Sequence, residues 1–463
     1  MSERVVIVGA GPAGIRAAEV LTQAGLRPTV VDEGMRCGGQ IYRRPPEGFT
    51  RTAEKLYGFE AEKAQALHAS FGRMLAEERL AYCPQSSVLS VAENGLQVLT
   101  AAGLHHLAFD RLIIATGATE RVAPVEGWES AGVYGLGAMQ IALKSQGVAL
   151  GRRIVLAGSG PLLTLVAAQL LDAGADVATV LDTSSLATQM RGLPLMLARP
   201  GLVARGMAMR ARLGRRYLAG VRLDRIETSR DGVEAIAWSH RGTSHRTKCD
   251  AVGLGWHLRS ETQLAGLAGA DFRYDDTFAQ WLPQADSMGR AGDRLYLAGD
   301  GLRLLGADGA QITGRLAASA CLKDMGLPFP DMRADLRRMQ RLDRFAAGLS
   351  RAFPWPAEAV RRLPDEAVVC RCESVTAGAL REAVDAGASE ANRAKSLSRV
   401  GMGRCQGRYC QLAGAEIVAA RAGLAVAAVR RLRDQAPVRP APIGALSSAL
   451  DPTPAKSPSD VAS

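Results

Sequence analysis

Apolar residues fall along this chain in short unbroken runs, separated by longer stretches that carry a helical period. Val5 to Val8 is the first such run, the pattern of a strand buried on both faces. From there to about Gly25 the apolar positions recur at helical spacing, and a second run, Thr29 to Val31, follows. The same order of strand, turn, helix and strand returns in GRRIVLAGSGPLLTLVAAQLLDAGADVATVLD, so the chain carries an internal duplication. Arg51 to Arg79 reads as helix, and Ser87–Val91 and Leu96–Leu99 as alternating strands. Residues 183 to 215 read as basic helix, with Val233–Trp238 and Asp250–Leu254 as strands closing the second unit. Two more apolar strands, in FDRLIIATGATERVAP and DRLYLAGDGLRLL, flank that unit and return the chain to the first, which is therefore discontinuous.

The turns between these elements carry the chemistry. Gly9, Gly11, Pro12, Ala13 and Gly14 form a G-x-G-x-x-G turn, with one glycine for the tight turn, one for close approach of a pyrophosphate and one for helix–strand packing. The helix N-terminus behind it favours phosphate. Asp32, 18 residues after Gly14, stands where a carboxylate accepts hydrogen bonds from an adenosine ribose, with Glu33 as the second candidate. Ala115, Thr116 and Gly117 end an apolar strand in the manner of flavoproteins with two dinucleotide-binding domains, where small residues let the backbone pass close to the cofactor. Gly299 and Asp300 end another, and Asp300 is expected to hydrogen-bond the ribityl chain of FAD, with a helix beginning near Gly309 facing the flavin ring. In the second unit Gly158 and Gly160 are present, but Leu163 replaces the third glycine, and Asp182 could bind a ribose. NAD(H), another adenine nucleotide such as ATP, and an empty structural unit are the open readings there.

Four of the eight cysteines, Cys370, Cys372, Cys405 and Cys410, cluster with the spacing C-x-C-x32-C-x4-C, while Cys37, Cys83, Cys249 and Cys321 stand singly. That is not the even spacing of a disulfide framework. Four thiolates without a nearby histidine suit a [2Fe–2S] cluster or a structural zinc, with unligated thiols as the third reading. Gly401, Gly403 and Gly407 would free backbone N–H groups for sulfur, and Arg371, Arg404 and Arg408 would offset the charge of a thiolate cluster.

Composition changes little: 47% hydrophobic and 22% charged residues are ordinary for a globular protein of 463 residues. The net charge of +11 could point to nucleic acid, but no aromatic-plus-basic stripe accompanies it, so a basic surface for an acidic partner is the expectation. No apolar stretch reaches the roughly 18 residues of a membrane span and MSERVVIVGAG lacks a signal n-region, which predicts a cytoplasmic protein.

The cysteine segment resembles the bacterioferritin-associated-ferredoxin-like [2Fe–2S] module, although GRCQGRYC has four residues between its cysteines where stand-alone modules often have two. With GAGPAG, RCGGQIYRRP, IIATGATER, GSGPLL, YLAGD and CRCESVT in order, nearly the whole chain resembles the flavoprotein alpha subunits of heteromeric amine and imino-acid dehydrogenases. That group contains the alpha-type flavoproteins of opine oxidase and hydrogen cyanide synthase and the alpha subunits of proline and hydroxyproline dehydrogenases. The resemblance implies an α/β fold with two Rossmann-like, glutathione/thioredoxin-reductase-type domains and a small helical C-terminal [2Fe–2S] domain. The expected boundaries are 1–120 with 270–330 for the FAD domain, 121–269 for the second nucleotide domain, 331–364 for a helical linker, 365–435 for the cluster domain and 436–463 for an extended or disordered tail. Gly38, Gly39 and Gln40 would line the flavin. The resemblance further implies a partner beta flavoprotein carrying the substrate site, a small ferredoxin-like gamma subunit in some relatives, an interfacial FMN, and an acceptor such as quinone, which would place the complex peripherally at the inner membrane.

Cys37 has no redox partner cysteine beside it, and the six histidines read as surface or core residues, so no catalytic residue is named. The leading expectation is an electron-transfer subunit whose complex oxidises an opine, D-hydroxyproline or proline-like substrate. A self-contained NAD(P)H-dependent flavin reductase and a structural or regulatory nucleotide-binding subunit are the alternatives.

Overall fold

The structure, a computed structural model, describes residues 3–46, 48, 51–92 and 95–447. Its centre is a six-stranded sheet in the order 290–292, 295–297, 111–114, 5–8, 29–31, 81–83, parallel except for the antiparallel first edge. Successive residues of Val5–Val8 serve opposite faces. Val5 and Ile7 pack under the helices Pro12–Gln23, Ala61–Ala76 and Gly306–Asp324, while Val6 and Val8 pack on an antiparallel meander, 87–92, 95–100 and 103–108. All four are buried, and each stabilises the fold by about 1.5–3 kcal/mol relative to an exposed position.

The second unit repeats this plan. Its five parallel strands run 217–219, 176–182, 153–159, 251–256, 133–135. Ile154 and Leu156 face the helix Pro161–Asp172, and Val155 and Ala157 face a second meander, 222–229, 232–240 and 243–248. The duplication read in the sequence thus extends to an auxiliary meander in each unit. The strand 103–108 escapes the hydrophobic pattern, because His105 and His106 blunt its alternation. The units are joined where Ala118–Glu120 pairs antiparallel with Leu258–Ser260.

After the helix Gly306–Asp324 comes a linker helix, Arg333–Ala352, lying along Leu186–Met196. Glycines make that approach possible: a Cβ on Gly192 would lie 2.2 Å from the Gly348 carbonyl oxygen. The C-terminal segment forms a hairpin, Val368–Cys370 with Val375–Thr376, and helices Ala377–Asp385, Ala391–Ser398 and Gln411–Ala422. It shares one core with the meander face of the second unit, and Trp128 Nε1 donates to the Val368 carbonyl at 2.5 Å. Beyond Gln435 the chain is irregular but anchored, Val438 N–H donating to Leu89 O and Arg439 pairing with Glu33, and a short helix, Ile443–Ser447, follows where an extended or disordered tail was expected. Residues 448–463, the rest of the expected tail, lie outside the described residues. No helix among the described residues is long and apolar enough to cross a membrane.

Candidate functional site

The first glycine turn is fixed by contacts that exclude any side chain. Gly9 has φ +107°, and a Cβ there would lie 2.3 Å from Ala115 O; a Cβ on Gly14 would lie 1.8 Å from Gly9 O. Gly39 sits over the same turn, its would-be Cβ 3.0 Å from Gly11 Cα, and Gly38 N–H donates to Ala10 O at 2.8 Å. A Cβ on Gly299 would lie 2.9 Å from Ala13 Cβ, and one on Gly301 3.1 Å from the Thr116 hydroxyl. Five separated pieces of sequence, Gly9–Gly14, Gly38–Gly39, Thr116–Gly117, Gly299–Gly301 and the start of the helix Gly306–Asp324, therefore converge on one cradle. A Cβ on Gly117, at φ +74°, would point into open space.

Asp32 accepts from Ala10 N–H at 2.5 Å and Gly34 N–H at 2.6 Å, and burial pushes its carboxyl pKa up against the effect of those donors. Asp300 accepts from Leu305 and Gly306 N–H through one oxygen, and burial pushes it up as well. The helix expected near Gly309 begins at Gly306, because these two amides turn onto Asp300 and start it a turn earlier. Glu33 points to the surface ion pair with Arg439 and away from Asp32's pocket, and Gln40 is exposed and bonded to Arg43. Neither makes a contact inside the cradle.

In the second unit Gly158 and Gly160 keep positive φ, at +138° and +105°, and a Cβ on Gly158 would lie 1.8 Å from Gly255 O. Leu163 fills the core between helix and sheet. Asp182 differs from the expectation that it could hold a ribose. It is 1% exposed and accepts from Ser159 Oγ, Ser184 N–H, Gln189 Nε2 and the Tyr217 hydroxyl. Ser184 in turn donates to Ala352 O at 2.5 Å, so the end of the linker helix lies over this corner.

The four clustered cysteines share one neighbourhood: Cys370 ends its strand, Cys410 precedes the helix Gln411–Ala422, and Cys410 feels the charges of Cys370, Cys405 and Cys372. The Cys370 thiol is brought down to about 6 by the Cys410 thiol and then by the amides of Gly401, Glu373 and Cys372. Gly403 is required by the packing, since a Cβ there would lie 2.2 Å from Cys372 Cβ. Among the described residues no group of three or more His, Cys, Asp or Glu side chains is placed to hold a metal ion. Arg371 and Arg404 are exposed, whereas Arg408 is buried.

Arg408 leads to the feature that sequence reasoning missed. Its guanidinium grips Glu261 at 2.6 and 3.4 Å, with both side chains under a tenth exposed. The backbone of Glu261 meets the cradle directly: its N–H donates to Gly117 O at 3.0 Å and its carbonyl accepts from Thr116 Oγ at 2.8 Å. Gln263 Nε2 adds a bond to Gln406 O at 2.5 Å. Arg259, also buried, leaves its Nε without a partner and lies within electrostatic reach of Glu261 and Cys405. The charges in HLRSET were the only signal in the sequence, and alternation along a short strand gave no reason to place them inside.

Residues 3–199 match the family model described as pyridine nucleotide-disulphide oxidoreductase, and residues 365–449 match the sarcosine oxidase A3 domain. The A subunit of opine oxidase from Rhizobium meliloti is 34% identical, over 96% of this chain and 87% of its own. Hydrogen cyanide synthase subunit HcnB from Pseudomonas aeruginosa is 31% identical, over 89% and 91%. Among solved structures, L-proline dehydrogenase from P. horikoshii superposes with a TM-score of 0.70 at 21% identity, covering 96% of this chain and 79% of that one, a likeness of fold.

Proposed function

The chain belongs to the family of flavoprotein oxidoreductase subunits that includes the A subunit of opine oxidase and HcnB, and from that premise we propose that it is the electron-transfer subunit of a heteromeric amine dehydrogenase. Its substrate class is a secondary amine, such as an opine, D-hydroxyproline or a proline-like imino acid. The substrate site lies on a partner beta flavoprotein, with FMN at the interface, and the complex is completed by a ferredoxin-like gamma subunit and a quinone-type acceptor. Cytoplasmic placement, peripheral at the inner membrane, follows from that acceptor.

FAD fits the cradle, where Gly9, Gly11, Pro12, Ala13 and Gly14 admit the pyrophosphate, Asp32 takes the ribose, and Gly39, Thr116, Gly117, Gly299 and Asp300 line the rest. Four clustered thiols with no histidine among them suit a [2Fe–2S] cluster, the reading that this segment's resemblance to ferredoxin-like modules favours over zinc. When bound, a flavin exchanging two electrons beside a one-electron cluster supplies the conversion from paired to single electrons. The residues of this chain hold the two sites in register and exclude water from the space between them.

The observation that carries the reading is the Glu261 connection, because it joins the loop of Cys405 and Cys410 to Thr116 and Gly117 through direct hydrogen bonds. A self-contained NAD(P)H reductase fits less well, since the oxygens of Asp182 are already taken by protein donors. The test is anaerobic purification with the products of neighbouring genes, analysis of iron, sulfide and flavin, and visible spectra after adding NADH or, separately, opines and imino acids. Bleaching by an amine only in the presence of the partner is the expected result. Bleaching of the isolated chain by NADH would make it a reductase in its own right.

A further inference from the structure

A cavity of about 430 Å³ lies apart from the flavin cradle, between the second unit, the hairpin 272–283, the end of the linker helix and the cluster segment. Two buried donors on its wall are unsatisfied. Arg121 is 7% exposed; its terminal nitrogens donate to Phe278 O at 2.9 Å and Ala279 O at 3.4 Å, but Nε has no partner. Trp355 is 9% exposed, its ring lies 4.5 Å from the Arg121 guanidinium, and its Nε1–H has no partner. A third donor comes from His257, whose Nδ1 accepts from Leu258 N–H at 2.8 Å and so leaves the ring proton on Nε2.

The charges do not balance. Glu416 and Arg361, also on the wall, neutralise each other at 2.8 Å, and Asp276 is exposed at the rim. Arg121 is buried against carbonyls and an aromatic face; Tyr274 and the Arg361-paired Glu416 attract it and Arg259 repels it, but among the described residues no carboxylate bonds to it. Burial accordingly pulls Arg121 down to about 9 and His257 down to about 4, with the mutual repulsion of the two groups adding to the histidine shift.

We propose that this cavity binds a small organic monocarboxylate, its carboxylate received by Arg121 Nε, Trp355 Nε1 and His257 Nε2 and its carbon part by Ala346, Leu349 and Val426. One guanidinium to which no carboxylate bonds matches one carboxylate, whereas the second charge of a phosphate dianion would find the other wall cation, Arg361, already paired with Glu416. The volume is in the range of small-molecule sites and far exceeds that of a single bound ion. Because the walls come from the linker and the cluster segment as well as the second unit, occupancy ties these parts together.

The proposal is tested on the full-length, FAD-loaded protein by calorimetry and thermal shift with benzoate, butyrate and N-acetylglycine. Benzamide serves as the uncharged control, and inorganic phosphate and AMP as the phosphate arm. The expected result is saturable binding of at least one carboxylate and none of benzamide. Affinity should fall about tenfold or more in Arg121→Gln and about threefold to tenfold in Trp355→Phe, with the flavin spectrum unchanged. If Arg121→Gln does not fold, Trp355→Phe, which keeps an aromatic ring and removes the N–H, decides. Absence of saturable carboxylate binding, binding unchanged in both variants, or Arg121-dependent binding of phosphate or AMP alone would overturn it.

Discussion

Glu261 stands between two buried guanidiniums and accounts for their being tolerated there. Replacing it by glutamine leaves Arg408 without a counter-charge, and Glu261→Gln should destabilise the fold by about 3–5 kcal/mol at pH 7 in chemical unfolding. The positive charges of Arg408 and Arg259, outweighing the burial penalty, hold the Glu261 carboxyl below its ordinary range. Its stabilisation is therefore complete above about pH 4.3 and disappears as the pH falls through the lower folded-state value. The gap between wild type and Glu261→Gln should narrow in acid, and an equal gap at pH 7 and pH 3 would count against the ion pair as its source. Gly14→Ala tests the cradle: a methyl group 1.8 Å from Gly9 O must part helix from strand, so the variant should purify with substoichiometric FAD, read from its absorbance spectrum.

At the level of elements, the linker helix has replaced solvent at the corner of the second nucleotide unit. Gly348 meets Met196 N at a would-be Cβ distance of 2.7 Å, so Gly348→Val should force the helix from Leu186–Met196 and cost about 1–3 kcal/mol. Unfolding midpoints of the variant and wild type give the comparison. Strand, glycine turn and helix of both units were legible because each leaves a local mark: an apolar run, glycines at fixed offsets, a period of 3.6. Asp182 carried the same mark as Asp32, yet its surroundings differ because Tyr217, Gln189 and Ser184 reach it from elements read only as generic helix and strand. The burial of Arg121 against Trp355 was equally hidden, since 234 positions of sequence separate them and neither lies in a motif.

For the whole molecule, the proposed assignment predicts that the flavin and cluster sites can be separated. Cys410→Ser should remove iron and sulfide while the cradle, built of residues 9–39, 116–117 and 299–301, retains its shape and its flavin absorbance. Loss of both together would show that the cradle folds only with the cluster in place. The order of domains was readable from the chain because each motif is local. The junction between them was not, because it rests on Glu261, Gln263, Gln406 and Arg408, polar residues whose meaning lies in being brought together across the fold.

That junction has a thermodynamic consequence. Glu261 is bonded to the flavin cradle through its backbone and to the cysteine loop through its side chain, so ordering either end restricts the other. Any coupling that results is reciprocal: the factor by which iron–sulfur loading tightens the hold on FAD must equal the factor by which FAD tightens the hold on the cluster. If both proposed cofactors bind, Glu261→Gln would set the two affinities free of each other.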